Sequence, residues 1–178
     1  MSTPPDWRQQ PLAALLRHIV ETHHRYCREE GARLADLFAE ELAARRGDAT
    51  LARLQGFFIQ LQSALTVHLA KEEQVLFPMI ARLEQAAERG GEAPRFSFGS
   101  IAAPIRMMNL EHQEADRMLE RMRALSSRFA CPTGANERTR ELYAGLAAFD
   151  RDLATHAGLE DEILFPRAIA LEASLSAA

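Results

Sequence analysis

The sequence is poor in aromatic residues and in cysteine. Of 178 residues, 7% are aromatic and two are cysteine, whereas alanine and leucine are plentiful, which favours helices over sheets. Cys27 and Cys131 lie far apart and form no C-x-x-C pair. We therefore expect two reduced thiols in a cytoplasmic protein. At this length one domain can bury a core without disulfide or metal staples.

The sequence also lacks a basic excess, a long apolar run and a secretory leader. Lys and Arg number 21 against 25 Asp and Glu, a net charge of −4, so nucleic acid is not an expected partner. No apolar stretch is long enough to span a bilayer. Residues 1–6 lack the basic and apolar blocks of a signal peptide. We expect no membrane partner.

Helical periodicity is the main structural signal. Apolar residues recur at helical spacing from 12 to about 46, from about 51 to 89, after Pro104, and from about 136 to 171. Gly90 to Pro94 is the clearest linker. The fold class predicted is all-α, an up-down-up-down four-helix bundle over residues 12–172, with short tails at 1–11 and 173–178.

An internal repeat carries the functional signal. His68 is followed by Glu at +4, Leu at +8, Phe at +9 and Pro at +10, and His156 is followed by the same residue types at the same offsets. Each copy lies on the second helix of its half, and the first helices carry His18 and His112. The chain therefore resembles a duplicated helix pair.

The spacing of the repeat predicts a metal centre. Residues four apart lie on one helix face, about 6 Å apart along the axis, so an imidazole and a carboxylate can converge on neighbouring ions. This donor set suits iron, and manganese less strongly, whereas structural zinc sites usually include cysteine. Ferritin-like bundles use Glu-x-x-His instead. The predicted ligands are His18, His68, Glu72, His112, His156 and Glu160.

A count of ligand positions predicts an open site. If both carboxylates bridge, the six side chains fill about eight of roughly twelve octahedral positions on two irons. Two ferric ions carry more charge than two carboxylates cancel, so an oxo or hydroxo bridge is expected as well. About one position per iron then stays open for a small molecule. The expected cofactor is a bridged non-haem di-iron pair.

Other polar residues have simpler interpretations. His23 and His24 have no evident counterparts in the second half, so we expect them to face solvent or to support the ligands. Glu73, Glu111 and Glu114 are expected to be solvated helix charges, with a proton relay as an alternative for Glu111. Pro78 and Pro166 are expected to kink or end their helices. A bare bundle with incidental histidines is disfavoured by the repeat.

The motifs resemble those of hemerythrin-like di-iron proteins, and within them the repair-of-iron-centres family. The resemblance runs from about residue 12 to 172 and is most specific over 68–80, 111–115 and 156–168. It implies ligands at His18, His68, His112 and His156 with bridging carboxylates at Glu72 and Glu160. It further implies a cytoplasmic stress protein that repairs damaged iron–sulfur clusters, with nitric oxide bound or reduced at the iron pair.

Two departures from the family pattern affect the expected function. Typical members begin with a small domain bearing a Cys-Cys pair, and only about ten residues precede the first predicted helix here. We expect that role to be absent or supplied by a partner. Oxygen-carrying hemerythrins use a fifth histidine, for which this chain has glutamate, so simple reversible oxygen carriage is disfavoured. The alternative function is a hemerythrin-like protein that binds or senses oxygen or nitric oxide. Whether the protein is an enzyme stays open.

Overall fold

Four long helical rods make up most of the computed structural model, which describes residues 5–97 and 99–177. Rod A is α1 (Leu12–His18), the π-helical turn π1 (Ile19–His24) and α2 (Arg25–Ala44). Rod B is α3 (Ala49–Lys71), π2 (Glu72–Leu76) and α4 (Phe77–Glu88). Rod C is α5 (Ala102–Leu125). Rod D is α6 (Glu137–Leu159), π3 (Glu160–Leu164) and α7 (Phe165–Ser176).

The all-α prediction is confirmed. In the described part of the chain the only β-type pairing is an isolated bridge between Phe96 and Gly99, in the linker between rods B and C. Rod D continues to Ser176, so part of the expected C-terminal tail is helical. Among the same residues, no helix combines the length and apolar character that crossing a bilayer requires.

Side-chain caps fix where the rods begin. Asp48 accepts a hydrogen bond from the Leu51 amide at the start of α3, and Asn136 does the same for Thr139 at the start of α6. Such caps satisfy amide groups that have no partner inside the helix. The amide of Leu12, the first residue of α1, donates to Glu84 across the bundle, and the amide of Ile101, the residue before α5, donates to Glu172.

The core consists of two apolar layers, one at each end of the bundle. The first layer is the apolar cluster around Ile19, Leu76, Met108 and Leu164, and the second is the cluster around Leu34, Phe58, Met122 and Phe149. Rods A and C run from the first layer to the second, and rods B and D run from the second to the first. Successive rods are therefore antiparallel, which is the up-down-up-down bundle predicted.

The two prolines of the repeat do not end their helices. Pro78 and Pro166 each follow a π turn, in which a backbone bond spans five residues: Phe77 donates to the Glu72 carbonyl and Phe165 donates to the Glu160 carbonyl. Proline has no amide hydrogen, so the ladder must be rearranged nearby. The π turns accommodate this change, and both rods continue beyond it.

The two cysteines differ in exposure. Both are free thiols, and Cys27 is buried in the second apolar layer whereas Cys131 is exposed in the connection between rods C and D. Burial raises the pKa of the Cys27 thiol to about 12, because a thiolate there would be cut off from water.

We predict that one thiol per chain reacts with an excess of a thiol reagent at pH 8 in native protein, and that two react after denaturation. Cys131 supplies the native signal, so Cys131→Ser should abolish it. Rapid reaction of two thiols in the native protein would contradict the burial of Cys27.

The raised pKa of Cys27 also makes stability depend on pH. The contribution of this thiol to stability is full below its ordinary pKa near 9 and is lost as pH rises toward 12.

Candidate metal centre

A buried polar layer separates the two apolar layers. It contains histidines and glutamates from all four rods: His24, His68, Glu72, His112, His156 and Glu160. His24 is the last residue of π1, and Glu72 and Glu160 are the first residues of π2 and π3. The π turns therefore lie beside the polar layer, where such turns often re-aim functional side chains.

The candidate ligand atoms form two groups. The first ligand group is His24, Glu72, His156 and Glu160, and the second ligand group is His68, Glu72, His112 and Glu160. Within each group, one nitrogen or oxygen from every residue lies within 4.8 Å of all the others. Both carboxylates belong to both groups. The arrangement therefore offers two adjacent positions for metal ions, with Glu72 and Glu160 shared between them.

The distances suit metal coordination. The Nε2 atoms of His24 and His156 are 3.1 Å apart, as are those of His68 and His112. Glu72 Oε2 lies 3.4 Å from Nε2 of His24 and of His68. Ligands at right angles on one ion, with bonds of about 2.1 Å, are separated by about 3 Å. The four imidazoles are thus already spaced as ligand pairs.

The two carboxylates have no other use in the fold. Glu72 and Glu160 are 0% exposed, and neither oxygen of either side chain has a hydrogen-bond partner among the described residues. Each unsatisfied buried polar group costs about 1–3 kcal/mol, and more when it is charged. Carboxylates buried in this way are expected to be paired or to bind a metal. The residues present therefore fit a pair of cations.

The pKa values in the polar layer are shifted in opposite directions at different residues. Burial, together with repulsion from Glu160, raises the pKa of Glu72 well above its usual range. Burial also acts to raise the pKa of Glu160, but attraction to His156 and His112 outweighs it and holds that pKa low. Burial and the neighbouring His156 lower the pKa of His24 to about 4, which leaves its imidazole neutral at pH 7. Neutral imidazole is the form that binds metal.

Carboxylates outside the layer orient three of the four imidazoles. Nδ1 of His24 lies 2.7 Å from Glu73, and Nδ1 of His112 lies 2.9 Å from Asp161. Nδ1 of His68 lies 3.0 Å from Glu111. A carboxylate at Nδ1 fixes the tautomer, so that the Nε2 lone pair faces the metal position. Glu73 and Glu111 are therefore bound to ligand rings, and the expectation that they are merely solvated charges is wrong.

The structure does not bring His18 into either ligand group. Its ring is partly exposed, stacks on Trp7 at 4.5 Å between centroids, and contacts the Thr22 hydroxyl. His24 holds the place expected of His18. Neither His23 nor His24 faces solvent, because they are 5% and 0% exposed. The other expectation, that they support the ligands, fits His23, which stacks on His156, whereas His24 is itself a candidate ligand. The other five predicted residues lie in the polar layer.

The repeat contained the signal that identifies His24. His68 and His156 are 88 residues apart, as are Glu72 and Glu160, and 88 residues before His112 stands His24. The correspondence between His24 and His112 is not evident from the starts of their rods, because the two rods differ in length before these residues. The capped amides of Leu12 and Ile101 are 89 residues apart, so rod A has one more residue than rod C before its ligand. The π1 turn accommodates that residue.

Two cavities reach the polar layer from the surface. One, of about 280 Å³, is lined by His68, His112 and His156 and by the apolar side chains of Leu65, Leu119 and Leu153. Another, of about 230 Å³, is lined by Val67, His68, Lys71, Glu111 and His112. Both therefore end at histidines of the ligand groups, and the larger one has a mainly apolar wall.

The buried ligand groups and the antiparallel rods define a cation-binding helical bundle. The chain belongs to the hemerythrin family: the model described as the hemerythrin HHE cation-binding domain matches residues 15–168. The matched range includes all of the residues of both ligand groups.

Similar proteins carry a common name. The iron-sulfur cluster repair protein YtfE of Yersinia pseudotuberculosis serotype O:1b is 36% identical over 168 residues, covering 92% of this chain and 69% of that protein. The proteins of the same name from Yersinia pestis (strain Pestoides F) and Edwardsiella ictaluri are 35% and 34% identical, with the same coverage. The chain is thus similar to about two thirds of each relative.

We predict that His24→Ala lowers bound metal by at least half, whereas His18→Ala leaves it unchanged. His24 Nε2 lies in the first ligand group, while His18 is stacked on Trp7 outside both groups. The measurement is metal content per chain after loading with ferrous iron and gel filtration. Loss of metal from the His18 variant with retention in the His24 variant would reverse the assignment.

Proposed function

We propose that the polar layer binds two iron ions as a non-haem di-iron centre, and that the protein acts in the repair of iron–sulfur clusters damaged by nitrosative or oxidative stress. The observation that carries this proposal is the pair of two-histidine groups that share two buried carboxylates, which accept no hydrogen bond from any residue in the described part of the chain. The relatives named for cluster repair support the biological role.

Iron is the metal that best suits this donor set. Two imidazoles per position with shared carboxylates combine nitrogen and oxygen donors without thiolate. Glu72 and Glu160 are the proposed bridging ligands, and His24, His68, His112 and His156 are the proposed terminal ligands. A bound iron pair supplies one-electron redox steps and open positions for a small ligand.

The residues around the histidines orient the imidazole rings and limit the access of water. Glu73, Glu111 and Asp161 hold three imidazoles in the metal-binding tautomer. Leu65, Leu119 and Leu153 line the larger cavity and limit water beside the histidines. An apolar passage of this kind suits uncharged gases, so we propose nitric oxide and oxygen as ligands. Damaged iron–sulfur proteins are the proposed macromolecular partners.

The cavities also favour a second function. Passages ending at His68, His112 and His156 would serve a protein that binds or senses oxygen or nitric oxide reversibly. We place repair first because of the relatives' name. A cytoplasmic location is part of the proposal and is supported by the two free cysteines, which suit a reducing compartment.

We predict that iron-loaded protein restores a cluster enzyme that nitric oxide has damaged. Activity of the damaged enzyme should recover at least about tenfold faster than without the protein, and Glu72→Ala combined with Glu160→Ala should remove the effect, because the shared ligands are lost. The measurement is enzyme activity over time under anaerobic conditions with a fixed reductant.

The matched control is Glu114→Ala, which removes an exposed carboxylate on rod C that pairs with Arg117 on the same rod. It should repair as the wild type does. Reversible binding of oxygen or nitric oxide by loaded protein, with no recovery of the enzyme, would refute repair and favour the carrier or sensor function.

A further inference from the structure

In both halves of the bundle, a carboxylate at the same position of the repeat contacts Nδ1 of a candidate ligand histidine. Residues 88 apart correspond, so His24 matches His112 and Glu73 matches Asp161. The contacts correspond as well, because Glu73 binds Nδ1 of His24 and Asp161 binds Nδ1 of His112. The duplication therefore includes both the candidate ligands and these two carboxylates, which contact the ligand rings at Nδ1.

The correspondence fails at one position. Glu111 binds Nδ1 of His68 from the neighbouring rod, at 3.0 Å. The residue 88 before Glu111 is His23, and the residue 88 after His68 is His156. His23 indeed lies against His156, with the two rings parallel within 7° and their centroids 5.7 Å apart. An imidazole face thus occupies the place where the other half has a carboxylate.

A second change accompanies the first. Nδ1 of His23 lies 2.9 Å from Asp152, one turn before His156 on rod D. The counterpart of Asp152 in rod B is Ala64. Among the described residues, the polar contacts of His156 are made by Nε2 alone, with His24 and Glu160. The ring of His156 is therefore positioned by stacking on the buried ring of His23, which pairs with the half-buried Asp152, rather than by a carboxylate at Nδ1.

We propose that the two metal positions are inequivalent, and that His23 sets the difference by holding His156 without a carboxylate at Nδ1. In the second ligand group both histidines, His68 and His112, have a carboxylate behind them. In the first ligand group only His24 has one. A carboxylate partner makes an imidazole a better donor, and losing such a partner weakens metal binding about 10- to 100-fold. The position held by His24 and His156 is the weaker one.

Burial alone does not account for this difference. The side chains of His24 and His156 are 0% and 4% exposed, whereas those of His68 and His112 are 5% and 11% exposed. The group predicted to bind more weakly is the more buried one. The inference rests on the proposed iron pair, and it assigns the iron that the protein gives up more readily to the first ligand group.

The test is an anaerobic titration of metal-free protein with ferrous iron against a chelator of known affinity. The wild type should show two dissociation constants separated by about 10- to 100-fold. The His23→Glu, Asp152→Ala double variant reproduces the Glu111 and Ala64 pair of the other half. This double variant should decrease the larger dissociation constant and bring the two dissociation constants within about threefold of each other.

Glu111→Gln tests the same idea in the opposite direction. It removes the carboxylate that contacts Nδ1 of His68. The smaller dissociation constant should therefore increase, and the ratio between the two dissociation constants should decrease. Glu114→Gln, on the same rod, should change neither constant. Because only ratios of constants are compared among folded, loaded proteins, a general loss of stability does not imitate the expected pattern.

The outcomes separate this inference from the proposed function. Two irons bound with equal constants in the wild type would overturn the inequivalence and leave the di-iron centre standing. Two unequal constants that do not respond to the double variant would overturn the role of His23. Failure to bind two irons at saturating ferrous iron would overturn both the inference and the proposed centre.

Discussion

The structure depends on two buried carboxylates that accept no hydrogen bond from any residue that the structure describes. Glu72 and Glu160 lie between four imidazoles at the middle of the bundle, completely removed from solvent. A fold that leaves such groups unpaired loses several kcal/mol unless a cation compensates for them. We therefore expect metal binding and folding to be coupled, and the arrangement of the rods is best understood as the support for this polar layer.

The layer divides the core, and the backbone adapts to it. Apolar clusters fill both ends of the bundle, so the polar side chains are shielded from above and below. Three π turns lie beside the layer, ending at His24 or beginning at Glu72 and Glu160. Each turn shifts the helical register where a ligand must face inward, and the helix continues afterwards. The π turns thus determine the direction in which the side chains of the candidate ligands point.

Much of the site could be predicted because its periodicity is simple. His68, Glu72, His156 and Glu160 follow from a four-residue spacing on α-helical backbone, which places both side chains on one face. His112 follows from the pairing of helices. His24 does not follow from α-helical periodicity, because the extra residue of π1 shifts the register of rod A. Only the constant separation of 88 residues between the halves identifies it.

The supporting contacts were harder to predict, since they join different rods. Glu111 reaches His68 from rod C to rod B, and Asp161 reaches His112 from rod D to rod C. On a helical sequence these carboxylates look like solvated charges, and only the packing of the bundle shows what they contact. The same holds for His23, whose position against His156 distinguishes the two halves.

Metal content per chain tests the central claim most directly. Protein loaded anaerobically with ferrous iron and freed of excess iron is measured for iron, and its absorption spectrum is recorded after oxidation. We predict about two irons per chain and the near-ultraviolet absorption of a coupled ferric pair, both lost when Glu72 and Glu160 are replaced by alanine. A folded wild-type protein that retains no iron would contradict the presence of a metal centre in the polar layer.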